Sequence, residues 1–225
     1  TCALPILGSL VGGVSHLLKQ SGVSLSRTPD WVNVVDYGAD PTGVSDSTSA
    51  IQAAIDSLPL PTTNTIYGVR GGTVFMPSGV YLVTAPLRMR PGKIEGSSRF
   101  GTVILNRGTT NDVFTAMTPA GTPPTGIWLY RVAHLSIHQA ADVSPTAGAG
   151  IRVQSDDGVT ASMVDVEDVF MHGLYRGFHG SALQGSSLKD VTVYAAREDG
   201  ILWDVYQTMV HASGCWTYYC GQDGT

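Results

Sequence analysis

The chain is predicted to be all-β: a right-handed, single-stranded parallel β-helix with an N-terminal capping α-helix. Three observations carry this reading. Beyond about residue 70 the helical period disappears, and four- to eight-residue β segments alternate with Gly, Asp, Asn and Ser. Those segments recur: Val166–Met171 matches Leu188–Val193 at a shift of 22, and Gly177, Gly200 and Gly224 follow at 23 and 24. A unit of that size has no core of its own, so it must stack on its neighbours. Finally, only 14% of the 225 residues are charged, 43% are hydrophobic and 27 are Gly. That composition excludes a disordered chain and suits stacked, β-branched ladders. A leucine-rich repeat would need a Leu/Asn scaffold, and a β-sandwich would need closer hairpin turns; the sequence has neither.

Residues 1–6, Thr1-Cys2-Ala3-Leu4-Pro5-Ile6, read as a translated sequencing-library adapter on a metagenomic fragment and are set apart from the fold. A mature N-terminus is the alternative. Residues 7–30 form a helical segment and linker, in which Leu10, Val11, Val14, Leu17 and Leu18 make an apolar stripe over 8–20. Residues 31–225 are the cap and first coils of the β-helix. Trp31–Gly38 reads as a strand ending in a turn, followed by a second turn at Asp40-Pro41-Thr42-Gly43. A helix over 46–58 starts at Ser45 or Asp46 as N-cap. It buries Ala50, Ile51, Ala54, Ile55 and Leu58, stops at Pro59, and closes the first coil. Thr73–Met76 and Gly79–Val83 are strands around a Pro-Ser-Gly turn. The C-terminal coils are expected to continue beyond Thr225.

Val32 to Ile55, together with Gly71 to Tyr81, resembles the N-terminal signature of the pectate-lyase-like, rhamnogalacturonase/epimerase-type β-helix superfamily. The resemblance implies a capped pectin-lyase-like solenoid. It also implies polysaccharide as the partner, since the superfamily includes phage tailspikes, depolymerases, polygalacturonase-like hydrolases and pectate lyases. Of the hydrolase marks only Asp156-Asp157 is present. Asp before Gly is also ordinary turn chemistry, so no further catalytic residue is carried over.

Hydrolysis of a glycosidic bond needs two carboxyl groups. A lyase needs a base and cations, from Arg, Lys or Ca²⁺, to neutralise a uronate. Asp199 and Asp223 each precede a repeated Gly and would stack one coil apart, with Glu198 beside them as a third catalytic candidate. Arg176, Arg197, Trp203, Trp216 and Tyr218 are the substrate-binding candidates, the rings as platforms for sugar faces. A coil-to-coil ion pair of Arg176 with Asp199 is the bland alternative. Strand alternation sets Trp216 and Tyr218 on one face and Tyr219 on the other, and turns Cys215 and Cys220 to opposite faces as free thiols. Asp168 and Asp190 read as turn residues, and the histidines lack ligand spacing.

The net charge of −5 and the lack of any Lys/Arg run argue against nucleic acid as a partner. No apolar run approaches the roughly 18 residues of a spanning helix, so no membrane partner is expected. No metal or cofactor is expected, with Ca²⁺ the exception if the protein is a lyase. Two functions remain open. One is an extracellular or virion-borne glycosidase or polysaccharide lyase. The other is a non-catalytic receptor-binding tailspike, as a homotrimer, or a structural solenoid.

Overall fold

The computed structural model describes residues 30–58, 71–117, 127–154, 161–204, 207 and 209–221. Every strand pair among them is parallel. The chain winds as an all-β, right-handed parallel β-helix with three faces. The first face stacks β1 (Trp31–Asn33), β3 (Thr73–Met76), β6 (Gly92–Gly96), the first half of β9 (Ile127–Gln139), the first half of β11 (Ala161–His172), β14 (Ser187–Lys189) and β17 (His211–Ser213). The second stacks β2 (Thr42–Asp46), β4 (Gly79–Val83), β7 (Thr102–Asn106), the second halves of β9 and β11, β15 (Thr192–Tyr194) and β18 (Trp216–Tyr218). The third stacks β5 (Leu87–Arg88), β8 (Phe114–Met117), β10 (Ala149–Gln154), β12 (Arg176–Ser181) and β16 (Ile201–Asp204). A short β13 (Leu183–Gln184) adds to the start of β11.

Like residues fall on one line from coil to coil, which is how units without a private core acquire one. On the first face the inward column is Val32, Val74, Ile94, Val132, Val166 and Leu188. On the second it is Tyr81, Ile104, Ile137, Met171 and Val193, and on the third Leu87, Phe114, Ile151, Phe178 and Ile201. All but Ile201 are buried.

The corners have a backbone signature. Between the first and second faces His134, Asp168, Asp190 and Gly214 stack, with φ of 57°, 54°, 54° and 62°. One left-handed residue turns the strand without a loop, and Asp and His tolerate that conformation through local hydrogen bonds. Gly177 and Gly200 also stack in register, with Gly150 one coil earlier. A Cβ on Gly177 would stand 2.4 Å from the Gly200 carbonyl oxygen and 2.6 Å from both Val193 methyls. The repeated glycine therefore marks close backbone packing.

Several expectations need correction. The interval holds at 22 and 24 for Val166, Leu188 and Ala212, but Val132 to Val166 takes 34 residues. The extra length leaves the strand register intact, because loops between faces can lengthen without disturbing the ladders. The helix, α1, spans Thr48–Ser57 and not 46–58. Asp46 instead ends β2 opposite Leu82, and its carboxylate accepts hydrogen bonds from the Thr48 N–H and hydroxyl. Ser47 is the N-cap residue and makes no side-chain cap bond. The predicted strand at 31–38 stops at Asn33, which caps a 3-10 turn over Val34–Tyr37 closed by left-handed Gly38. Cys215 and Cys220 are free, but both pack against the core, because the chain turns on either side of β18. The stripe at 8–20, Asp156-Asp157, Tyr206, Asp223 and Gly224 lie outside the described residues.

Candidate functional site

The third face carries the site. Counted from the stacked glycines, the second residue on is Arg152, His179 or Leu202, and the fourth is Gln154, Ser181 or Asp204. Phe178 and Ile201 point inward, so the residues that follow them, His179 and Leu202, point out. His179 Nε2 lies 2.7 Å from Asp204 Oδ2, one coil on. The imidazole is buried, and its Nδ1 has no hydrogen-bond partner among the described residues; nor has Asp204 Oδ1. Arg152, one rung below His179, directs Nη1 to 3.8 Å from Asp112 Oδ2.

Two carboxyls near this face are shifted in opposite directions. Burial pushes the Asp112 carboxyl up, against the opposing pull of the Arg152 charge, the Ala149 N–H, and the charges of His179 and Arg176. Burial also raises Asp204, but hydrogen bonds from His179 and Ser181 and the charges of His179 and Arg152 outweigh it, and the net shift is downward. The two carboxyls are thus shifted in opposite directions, around an imidazole oriented by one of them and a guanidinium one rung away. An imidazole held in this way can move a proton beside a bound anion.

The predicted residues sit at one end of this face. Arg176 donates to Glu198, and its Nε lies 3.7 Å from Asp199 Oδ2. The Tyr175 hydroxyl donates to the other Glu198 oxygen at 2.6 Å, and the Arg176 guanidinium lies 5.2 Å from the Tyr175 ring centroid. Arg176, Glu198 and Asp199 therefore form a coil-to-coil ion-pair cluster, while Asp223, the expected partner of Asp199, lies outside the described residues. Arg197 is exposed, with its backbone N–H bonded to Leu174. Trp203 is not a free platform: it packs on Phe178 at 5.4 Å, because alternation from inward Ile201 also turns residue 203 inward. Trp216 and Tyr218 lie on the outside of the second face, stacked at 6.1 Å. Tyr219 is also exposed, since its left-handed φ of 52° swings it out of strand alternation.

Asp168 is satisfied within its corner. It accepts from His134 Nδ1 at 3.0 Å and pairs with Arg99 Nε at 2.7 Å. Sequence reasoning missed His179, Asp204, Arg152 and Asp112. The usable signal was the offset of two and four residues from the repeated glycine. Among the described residues no group of three or more His, Cys, Asp and Glu could hold a metal ion.

A capped parallel β-helix with a charged outer face defines the class of protein. Within it, the chain belongs to the rhamnogalacturonase A/epimerase, pectate lyase-like family, whose model matches residues 31–221. Among curated proteins it is similar to mannuronan C5-epimerase AlgE5 of Azotobacter vinelandii, 50% identical over 52 residues, which is 23% of this chain and 4% of that protein. AlgE4 of the same organism matches at 47% over 53 residues, 24% of this chain and 8% of that protein. The chain thus spans less than a tenth of these relatives' length. Among solved structures, the catalytic unit of a GH87 α-1,3-glucanase from Streptomyces thermodiastaticus strain HF3-3 superposes with a TM-score of 0.62 at 18% identity, over 90% of this chain and 33% of that one. ORF18 of Geobacillus virus E2 gives 0.57 at 17%, over 96% and 46%. These two likenesses are of fold.

Proposed function

We propose that this chain belongs to a polysaccharide-processing enzyme that works on an acidic glycan across β10, β12 and β16. His179 is the base that removes the proton beside a uronate carboxylate, Asp204 orients it, and Arg152 neutralises the carboxylate as charge builds. The buried His179–Asp204 pair, with His179 Nδ1 unbonded among the described residues, is the observation that carries this reading. The similarity to proteins named mannuronan C5-epimerases supports a uronate as substrate.

Register favours proton abstraction over hydrolysis. Asp112 and Asp204 are three rungs and five positions apart, a backbone separation of roughly 20 Å. A hydrolase pair needs carboxyls about 5–9.5 Å apart. After abstraction, loss of the 4-O-linked sugar gives an unsaturated uronide, as in a lyase. Return of a proton from the opposite side instead inverts C5, as in an epimerase. The setting is extracellular or on a virion tail, where glycans are met.

Incubation of the full-length protein with mannuronan and polygalacturonate tests the proposal. Absorbance near 235 nm reports elimination, and proton NMR of the uronate residues reports epimerisation. One of the two signals is expected, and His179→Ala should abolish it. New reducing ends with neither signal would mean hydrolysis and would overturn the proposal.

The second reading, a glycan-binding tailspike without catalysis, draws on the exposed rings of the second face. It is favoured if no product forms and the protein still retains glycan, with a homotrimer as its expected assembly.

A further inference from the structure

A second recess lies around a corner from the third face and takes no part in the chemistry above. It has a volume of about 630 Å³ and is lined by Arg99, His134, Glu167, Asp168, Asp190, Thr192, Gly214 and Trp216. Its origin is legible in the outward column of the second face, which runs Ser136, Phe170, Thr192, Trp216. A threonine between two aromatic neighbours, with rungs about 4.8 Å apart, leaves a slot one rung wide. Phe170 is backed by Phe100 at 5.5 Å. Trp216, 59% exposed, lines the recess and lies nearly parallel to Tyr218, with 8° between the ring planes.

The floor is polar. The Asp190 carboxylate lies over Gly214, where any Cβ would meet Asp190 Oδ1 at 2.2 Å. Arg99 crosses from the turn after β6 to donate to the Asp190 carbonyl oxygen. Beside the slot, the next outward column is His138, His172, Tyr194 and Tyr218. His138 to His172 and His172 to Tyr194 are each 5.5 Å between ring centroids.

We infer that this recess is a second carbohydrate site, which holds a neutral hexose chain along the solenoid axis, with one sugar in the slot against Trp216 and its neighbours over the ring column. Flat rings with polar edges suit the apolar faces of pyranoses, and Asp190 and Thr192 offer acceptors to hydroxyls. The charge balance sets the class of glycan. Arg99 is committed to Asp168, and the neighbouring Arg131 and Lys189 to Glu167, while Asp190 adds a further carboxylate to the lining, so a uronate would find no uncommitted arginine or lysine here, whereas the third face presents Arg152 to it. Such a site would tether the protein to a glycan surface independently of turnover.

Calorimetry with cellohexaose, maltohexaose and laminarihexaose, with hexagalacturonate as the charged control, tests the inference on the full chain. At least one neutral hexasaccharide should bind and hexagalacturonate should not compete. Trp216→Ala should weaken binding about tenfold or more. Thr192→Phe, which fills the slot, should abolish it with circular dichroism unchanged, and His179→Ala should leave it intact. Failure of all three neutral sugars to bind at 10 mM overturns the site. So does equal binding of hexagalacturonate, or retention of affinity by both Trp216→Ala and Thr192→Phe. If sedimentation shows instead that Trp216→Ala dissociates an oligomer and no sugar binds, the ring column is a contact between copies of the chain.

Discussion

Two histidine–aspartate pairs on this solenoid use the same residues to different ends. At the corner between the first and second faces, Asp168 accepts from His134 and pairs with Arg99. Both residues occupy left-handed backbone, which their side-chain contacts help to hold. On the third face, His179 and Asp204 meet at 2.7 Å, yet His179 Nδ1 and Asp204 Oδ1 are buried without hydrogen-bond partners among the described residues. Buried arginine Nε atoms without hydrogen bonds occur in both regions, at Arg99 and Arg131 as at Arg152 and Arg176, and so decide nothing. An unbonded buried imidazole nitrogen is costly to keep.

That contrast can be broken by mutation. His179→Ala should lower turnover by about 10²–10⁴-fold while the melting temperature moves little, as turnover assays beside calorimetry would show. Asp168→Ala should do the reverse: it strands Arg99 and His134, so stability should fall by about 1–3 kcal/mol, read as a lower denaturation midpoint with activity retained at a permissive temperature. Equal effects of the two substitutions on both readouts would erase the distinction.

Asp112→Asn sharpens it from the other side. Because burial raises the Asp112 carboxyl, the charged form weakens the fold at neutral pH. The amide keeps the acceptor for the Ala149 N–H, so stability should rise by about 0.5–1 kcal/mol while activity falls. A drop in stability would show that Asp112 is structural.

The smallest effect concerns pH. The His138 imidazole is held below its usual range, first by burial and then by the neighbouring His172. A histidine with a lowered folded pKa binds its proton more readily when unfolded. Stability should therefore decline as pH falls through about 6.5 towards the lowered value. His138→Gln should flatten that part of the unfolding curve.

The architecture was readable because stacking imposes it on the sequence: Val166 and Leu188 must coincide for either to be buried, and Gly177 and Gly200 for the backbones to approach. The corner residues Asp168 and Asp190 were readable for the same reason. The residues of the proposed site were not. Arg152 and His179 are 27 positions apart where the neighbouring repeat is 22, since lengthened connections interrupt the count. Arg176 and Asp199 precede repeated glycines, and with Glu198 they neutralise one another across coils. The offsets of two and four that hold His179 and Asp204 emerge once strand alternation is anchored on Phe178. Trp203 and Tyr219 exchanged their expected roles because one extends an inward series and the other bends the chain.

The most direct test of the account is a crystal of the full-length His179→Ala protein soaked with mannuronan and galacturonan tetrasaccharides. The account predicts an ordered uronate on the third face, its carboxylate at Arg152 and its ring against Asp204. An oligosaccharide that orders only elsewhere, with the third face bare, would contradict it.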